Sequence, residues 1–201
     1  MNAPGRIVCL NGPSSSGKTS IGRSLQHLML PEAWFLCGID TFLSMASKQA
    51  HGPQVISEWR PAPGGGVQPV LTPDGLSLIG SMYEAVAALV AGGSNIVFDD
   101  VSLSEPLLGR CATAFAPFES LFVGVHCDRA VLIERERIRA DRIEGTAIGM
   151  SSAVHQSALY DLEVDTTSAS AEECARLIAS RLRSGPAGTA FGQLRRRIER
   201  L

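Results

Sequence analysis

Short apolar segments alternate along the chain with longer segments whose apolar residues recur at helical spacing. The short segments predict five β-strands, each ending in a polar or acidic residue: Arg6–Asn11, Trp34–Asp40, Asn95–Asp100, Leu121–Asp128 and Leu162–Asp165. The longer segments predict helices over Thr19–Leu30, Leu78–Val90, Glu105–Ala116, Ala130–Arg142 and Ala171–Arg183. Continuous apolarity is typical of strands covered on both faces. The pattern therefore predicts an α/β fold with a five-stranded parallel sheet and helices on both faces.

Composition narrows the class of protein. The 201 residues are 45% hydrophobic and 19% charged, which suffices for a substantial core. A net charge of −2 supplies no basic field for a nucleic-acid backbone, so no nucleic-acid partner is expected. Apolar runs are shorter than the roughly 18 residues of a membrane span, and the N-terminus lacks signal-peptide features. We expect a cytoplasmic protein without a membrane partner, and its five scattered cysteines to be reduced.

One motif carries the chemistry. Gly12-Pro13-Ser14-Ser15-Ser16-Gly17-Lys18-Thr19 fits G-x-x-x-x-G-K-[ST], between a predicted strand and a predicted helix. Inward-turned backbone amides and the helix N-terminus favour a bound polyphosphate. Lys18 is expected to reach the β- and γ-phosphates, and the Thr19 hydroxyl to bind Mg²⁺. The motif, with Ser20 beside it, predicts a binding site for ATP and a P-loop NTPase fold.

A second acidic element accompanies the P-loop. Asn95-Ile-Val-Phe-Asp99-Asp100 is an apolar strand ending in two carboxylates, the pattern of a Walker B strand. An acid at this position completes a magnesium site, usually through bound water. Asp99 is favoured for this role and Asp100 is the alternative, because one sequence does not fix the register.

Missing signatures narrow the class of P-loop protein. Lys48 is followed by Gln49-Ala50, so the N-K-x-D element of guanine-specific GTPases is absent, as is the L-S-G-G-Q signature of ATP-binding cassettes. The chain is also too short for a typical AAA module with its lid. The remaining group is the small-molecule and nucleotide kinases, which need an acceptor site and mobile arginines.

Candidates for both requirements are present. Asp40, at the end of the second predicted strand, is expected to accept the proton of the attacking hydroxyl; the alternative is a helix or turn cap. Arg135, Arg139 and Arg142 recur at spacings of four and three, so one helical stripe can carry all three. We predict an adenylate-kinase-like lid over residues 135–150, in which these arginines neutralise the transferring phosphoryl group; a solvated, ion-paired helix is the alternative.

Two stretches interrupt the alternation of strands and helices. Residues 43–80 contain Trp59 and the turn signals Arg60-Pro-Ala-Pro-Gly-Gly-Gly and Thr72-Pro-Asp-Gly, and are predicted to be an insertion that binds the acceptor. Residues 184–201 form a basic extension beyond a kinase domain of residues 1–183. A solvated or frayed terminus is favoured there over a basic helix that docks on a partner.

Several blocks resemble chloramphenicol phosphotransferase in kind and order, from about residue 6 to 182. Besides the P-loop they are Ile96-Val-Phe-Asp-Asp-Val101, Val123-Gly-Val-His-Cys-Asp128, Arg139-Ala-Asp-Arg142 and Tyr160-Asp-Leu-Glu-Val-Asp-Thr-Thr167. The resemblance implies a P-loop kinase that transfers the ATP γ-phosphoryl group to a primary hydroxyl of the antibiotic. It further implies that Asp40 matches the family's proposed base, and that Arg139 and Arg142 match its lid arginines.

The sequence departs from this family in the acceptor-binding region after Asp40, at Phe98 and Ser102, and in the basic tail. Transfer to a hydroxyl of a small molecule is therefore better supported than chloramphenicol as its recipient. Two alternatives stay open: a kinase of a sugar nucleotide or metabolite, like the zeta-toxin group, and a non-catalytic nucleotide-binding regulator. The sequence also leaves open whether the chain forms a homo-oligomer.

Overall fold

The computed structural model describes residues 3–45, 55–139, 143–185 and 188–200. Its strands are β1 (Arg6–Asn11), β2 (Trp34–Gly38), β3 (Ser57–Pro61), β4 (Val67–Leu71), β5 (Asn95–Asp100), β6 (Glu119–His126) and β7 (Leu162–Asp165). Its helices are α1 (Lys18–Leu28), α2 (Ile39–Leu43), α3 (Pro73–Ala91), α4 (Glu105–Phe115), α5 (Arg129–Arg137), α6 (Thr146–Ser151), α7 (Ala171–Ser184) and α8 (Ala190–Ile198).

Five strands form one parallel sheet in the order β2-β5-β1-β6-β7, with the strand before the P-loop at its centre. Alternate residues of β1 enter two separate cores. Val8 and Leu10 belong to the core that α1 and α7 cover, whereas Ile7 and Cys9 belong to the core that α3, α4 and α8 cover. Both faces are thus buried, and the predicted five-stranded parallel sheet is confirmed.

The second strand is shorter than the sequence indicates. β2 ends at Gly38, and Asp40 lies in the first turn of α2, so the expectation that Asp40 ends a strand is wrong. A carboxylate in the first turn of a helix interacts favourably with the partial positive charge there. Asp128 was likewise predicted to end a strand, but β6 ends before it, at His126. Its side chain instead accepts the Ala130 N–H at the start of α5.

The insertion after β2 contains a hairpin that the sequence did not reveal. β3 and β4 pair antiparallel as a separate two-stranded sheet. The following helix α3 begins five residues earlier than predicted, at Pro73. Thr72 explains this start, because its hydroxyl accepts the Gly75 N–H (3.1 Å) and proline is favoured in the first helical turn.

The single arginine stripe is not observed. α5 ends at Arg137, so Arg139 lies beyond the helix, and Arg142 lies outside the described residues. The start of α6 is held against α5, because the Glu136 carboxylate accepts the N–H groups of Gly145 and Ala147.

The C-terminal tail contributes to the core, and the expectation of a solvated or frayed terminus is wrong for residues 188–200. Phe191 and Leu194 of α8 are fully buried in the core that α4 shares. Asp161 holds the start of this helix, because its carboxylate accepts the N–H groups of Thr189 and Ala190. The spacing of the buried residues is that of an amphipathic helix.

By length and composition alone, α3 is apolar enough to cross a membrane. Its Met82, Tyr83, Val86 and Val90 are buried against the sheet, which is the packing of a core helix. All five cysteines are free thiols.

Candidate active site

The P-loop joins the carboxyl end of β1 to the N-terminus of α1. Gly17 precedes the helix with a φ of 91°, a left-handed conformation that glycine adopts without a steric penalty. Ser15 also has a positive φ, of 64°, which is uncommon for a residue with a side chain. This backbone points the first amides of α1 into the loop, where the helix dipole favours an anion.

Three serine hydroxyls of the loop are buried without a hydrogen-bond partner among the described residues. They belong to Ser14, Ser15 and Ser16. A buried polar group without a partner costs roughly 1–3 kcal/mol, so three together indicate that the loop is shaped for a polar ligand. The residues present therefore fit a polyphosphate.

Lys18 closes the mouth of the loop. Its ammonium lies 2.9 Å from both the Gly12 and the Pro13 carbonyl oxygens, and 3.5 Å from Asp99 Oδ1. The side chain is only 6% exposed, which strengthens its electrostatic interactions by excluding water. The cation is thus held where a phosphate chain is expected.

A hydroxyl and a carboxylate meet beside the lysine. Thr19 Oγ1 donates to Asp99 Oδ2 at 2.6 Å. Oxygen donors of these two kinds suit Mg²⁺, which prefers hard ligands and keeps several waters. Thr19 and Asp99 therefore fit the predicted metal site.

Asp100 is engaged elsewhere. It is fully buried and accepts hydrogen bonds from the Tyr83 hydroxyl (3.1 and 3.2 Å), the Val101 N–H (2.8 Å) and the Ser102 hydroxyl (2.7 Å). Burial raises the pKa of Asp100, although these hydrogen bonds oppose the shift. Since consecutive strand residues point to opposite faces, Asp99 is the one that faces the P-loop.

The two adjacent carboxylates provide a matched pair of variants. Asp99→Asn is expected to abolish most magnesium-dependent phosphoryl transfer with little change in stability, because only the charge beside Thr19 is lost. Asp100→Asn is expected to lower the free energy of unfolding by about 1–3 kcal/mol, because its buried donors lose acceptors. Steady-state rates and urea titrations measure the two effects. The reverse pattern would show that Asp100, not Asp99, serves the metal.

Arg135 joins the loop after β7 to the P-loop. Its guanidinium donates to the Thr166 carbonyl (2.7 Å) and hydroxyl (3.1 Å), and the Thr166 hydroxyl donates to the Ser16 carbonyl (2.8 Å). Arg135 is therefore fixed beside the P-loop backbone, next to the loop in which a polyphosphate fits.

One cavity of about 1070 Å³ extends from the P-loop to the insertion. Of the predicted site residues it is lined by Ser14, Ser15, Gly17, Lys18, Thr19, Ser20, Asp40, Asp99, Arg135 and Arg139. Gly12, Pro13 and Ser16 lie in the loop without lining the cavity, and the lid arginine Arg142 lies outside the described residues. Residues that are distant in sequence, from the P-loop, α2, the end of β5 and the region of α5, thus meet in one place.

Asp40 reaches this cavity because β2 approaches β5 closely. Gly38 pairs with Asp99, and a Cβ at Gly38 would overlap the Asp99 carbonyl oxygen. Asp40 follows two residues later and is exposed to the cavity. Asp40 thus lines the same cavity as the Thr19–Asp99 pair.

Apart from the predicted site residues, the lining of the cavity is mainly apolar. Apolar side chains from the hairpin and the residue before it, α2, α3, the β5–α4 connection and α4 line it: Ile39, Leu43, Ile56, Trp59, Val70, Leu71, Leu76, Ile79, Val101, Leu103 and Leu107. Such walls with a few polar groups are typical of small-molecule sites.

Comparison with known protein families matches residues 5–183 to chloramphenicol phosphotransferase-like protein. The chain belongs to this family. It is also similar to the Mycobacterium tuberculosis (strain ATCC 25618 / H37Rv) protein named "Putative O-phosphotransferase Rv2636". The two are 33% identical over 202 residues, which cover 96% of this chain and 89% of that protein. The resemblance predicted from the sequence is confirmed.

Solved structures show the same fold as this family member. The Mycobacterium tuberculosis APS kinase CysC, in complex with AMPPNP and APS, has a TM-score of 0.66 at 16% identity, covering 91% of this chain and 100% of that one. Shikimate kinase from Acinetobacter baumannii, in complex with shikimate, has a TM-score of 0.55 at 13% identity, covering 91% and 94%. At these identities the likeness shows the fold alone, and that fold is of the P-loop kinase type.

Sequence reasoning missed two residues of the site. Thr166 lies within a block that carries the family resemblance, but no role was predicted for it. Glu136 was given no role of its own, whereas the residue is 7% exposed and its carboxylate accepts two backbone N–H groups. The signal for Glu136 was weak, because its partners are backbone N–H groups, which any residue supplies.

Proposed function

We propose that the protein is an ATP- and Mg²⁺-dependent O-phosphotransferase that acts on a hydroxyl of a small, largely apolar molecule, such as chloramphenicol or another antibiotic. One observation carries this proposal. A single cavity is lined by P-loop residues with buried, unpartnered serine hydroxyls, by Lys18, by Asp40 and by many apolar side chains. Family membership and the kinase fold support the reaction class.

The phosphate-binding end holds the nucleotide. The loop amides and serine hydroxyls bind the phosphate oxygens, while Lys18 exchanges the Gly12 and Pro13 carbonyls for the β- and γ-phosphates. Arg135 contributes a second cation. Thr19 and Asp99 would hold Mg²⁺, which when bound supplies positive charge that neutralises the phosphates.

Asp40 prepares the acceptor. Its carboxylate accepts the proton of the acceptor hydroxyl as that oxygen attacks the γ-phosphorus. The new oxygen–phosphorus bond forms while the bond to the bridging β–γ oxygen breaks, and ADP leaves. Lys18 and Arg139 stabilise the negative charge on the transferring group, and positioning supplies most of the rate.

The apolar walls of the cavity favour an uncharged acceptor. Trp59 of β3 offers an aromatic surface, and aliphatic side chains of β4 and α3 complete the enclosure. The ligands named with two structural neighbours, APS and shikimate, are anions. A charged acceptor would be desolvated against apolar walls here, which is costly.

An acceptor panel tests this proposal. Purified protein is incubated with ATP, Mg²⁺ and three sets of acceptors: chloramphenicol, other neutral hydroxylated antibiotics, and anions such as shikimate and a sugar nucleotide. Mass spectrometry is expected to show the addition of one phosphoryl group to a neutral compound. Product from charged acceptors alone would favour a metabolite kinase, and no product from any of them would favour a nucleotide-binding regulator.

A further inference from the structure

The hairpin of the insertion touches the start of α6 backbone to backbone. The Val67 N–H donates to the Gly145 carbonyl at 3.1 Å. A Cβ at Gly149 would overlap the Val67 carbonyl oxygen, and one at Gly66 would overlap the Gly145 carbonyl oxygen. We call these four residues the clasp. Glycine at positions 66 and 149 is what allows the two segments to approach so closely.

Glu136 connects α5 to the clasp. Its carboxylate accepts the Gly145 N–H at 2.8 Å and the Ala147 N–H at 2.7 Å, and the residue is 7% exposed. Hydrogen bonds to a carboxylate are about twice as strong as neutral ones. The start of α6 is therefore held to α5 by two strong bonds that are shielded from water.

The residue before Glu136 contacts the nucleotide end of the cavity. Arg135 donates to Thr166, whose hydroxyl bonds the P-loop carbonyl of Ser16. Two adjacent residues of α5 therefore contact different parts of the molecule: Arg135 contacts the P-loop region, and Glu136 contacts the clasp. A shift of α5 that follows a change at Arg135 must move Glu136 as well, because a helix behaves as a rigid element.

The hairpin connects the clasp to the cavity. Trp59, Gln68 and Val70 of β3 and β4 line the cavity, and Val67 of the clasp begins β4. A continuous set of contacts therefore runs from the P-loop through Arg135, Glu136 and the clasp to the acceptor walls.

We propose that Glu136 is a positioning residue that couples nucleotide binding to the acceptor-binding hairpin. This inference rests on the proposed function, since it needs a nucleotide at the P-loop. Bound nucleotide reduces the mobility of α5 through its contact with Arg135. Glu136 and the clasp then reduce the mobility of residues 57–71. The acceptor site is thereby completed only when the phosphoryl donor is present, which limits loss of the γ-phosphoryl group to water.

Hydrogen–deuterium exchange of the full chain tests the coupling without knowledge of the acceptor. In the wild type, saturating Mg²⁺ and AMPPNP are expected to slow amide exchange in residues 57–71 about 5-fold or more, the lower end for coupled sites. In Glu136→Ala the analogue still binds, as titration calorimetry measures, but the slowing in the hairpin is lost. Glu136→Gln keeps one acceptor oxygen and is expected to retain part of it.

Two glycine variants provide a matched comparison. Gly149→Ala suits a helix but places a methyl group on the Val67 carbonyl, so it is expected to separate the clasp and remove the slowing. Gly64→Ala lies in the same hairpin, where the methyl group meets only the Ser152 side chain, and it is expected to behave like wild type. Gly149→Ala also covers the case in which Glu136→Ala does not fold.

The outcomes separate this inference from the proposed function. If the analogue binds to the wild type but amide exchange in its hairpin does not slow, the coupling is overturned and the proposed function is not. The same holds if amide exchange slows fully in Glu136→Ala or Gly149→Ala. Absence of analogue binding to the wild type overturns the proposed function, and the coupling with it.

Discussion

Lys18→Ala is expected to reduce phosphoryl transfer about 10³-fold or more. The lysine is 6% exposed, and its ammonium lies between two loop carbonyls and Asp99. Preorganised charges in a site that excludes water are among the largest contributions to catalysis, and single donors account for about 10²–10³-fold in other enzymes. A full positive charge beside the γ-phosphate of bound ATP is expected to contribute at least as much. Steady-state turnover of ATP with an accepted hydroxyl compound measures the loss.

A surface arginine provides the control for removal of positive charge. Arg176→Ala removes a cation that pairs with Glu172 on the exposed face of α7, away from the cavity. Its turnover is expected to match wild type. Near-wild-type turnover in Lys18→Ala would contradict the role of the P-loop in transfer.

Asp40→Asn is expected to lower turnover about 10²–10⁴-fold, while AMPPNP affinity stays unchanged. The amide has the shape of the carboxylate but no longer accepts the hydroxyl proton. Asp40 lines the cavity but is not part of the P-loop, whose unpartnered serine hydroxyls are expected to bind phosphate, so nucleotide binding is not expected to depend on it. The turnover number and the dissociation constant of AMPPNP, measured separately, distinguish these effects.

Asp74→Asn is the matched control, because Asp74 also lies in the first turn of a helix, α3. Both substitutions remove a favourable interaction with a helix N-terminus, worth about 0.3–1 kcal/mol. Only Asp40→Asn is expected to lose activity. An equal decrease in both variants, or a loss of nucleotide affinity with Asp40→Asn, would remove Asp40 as the base.

The P-loop and the parallel sheet could be predicted from the sequence because their signals are local. A buried strand is apolar throughout, and the motif from Gly12 to Thr19 is contiguous, with its strand and helix on either side. β1, β5 and β7 have the bounds that the pattern predicts. The Walker B carboxylates were found for the same reason, although the strand register was needed to separate Asp99 from Asp100.

The features that the sequence did not reveal depend on contacts between distant segments. Asp161 holds the start of α8 from a loop almost 30 residues away, so the tail was mistaken for a solvated end. Glu136 bonds backbone N–H groups across a turn, which leaves no pattern of side chains. Asp40 was predicted to end a strand because the first two residues of a short helix do not change the apolar pattern of the strand that precedes them.

The fate of the γ-phosphoryl group tests the central claim most directly. The protein is given ATP labelled at the γ-phosphate, Mg²⁺ and a neutral hydroxylated acceptor from the panel, and the label is followed to its products. We predict that it appears as a phosphate ester on the acceptor oxygen, and that Lys18→Ala and Asp40→Asn form little of this ester. Label found only in ATP or in inorganic phosphate, with every acceptor supplied, would contradict the account.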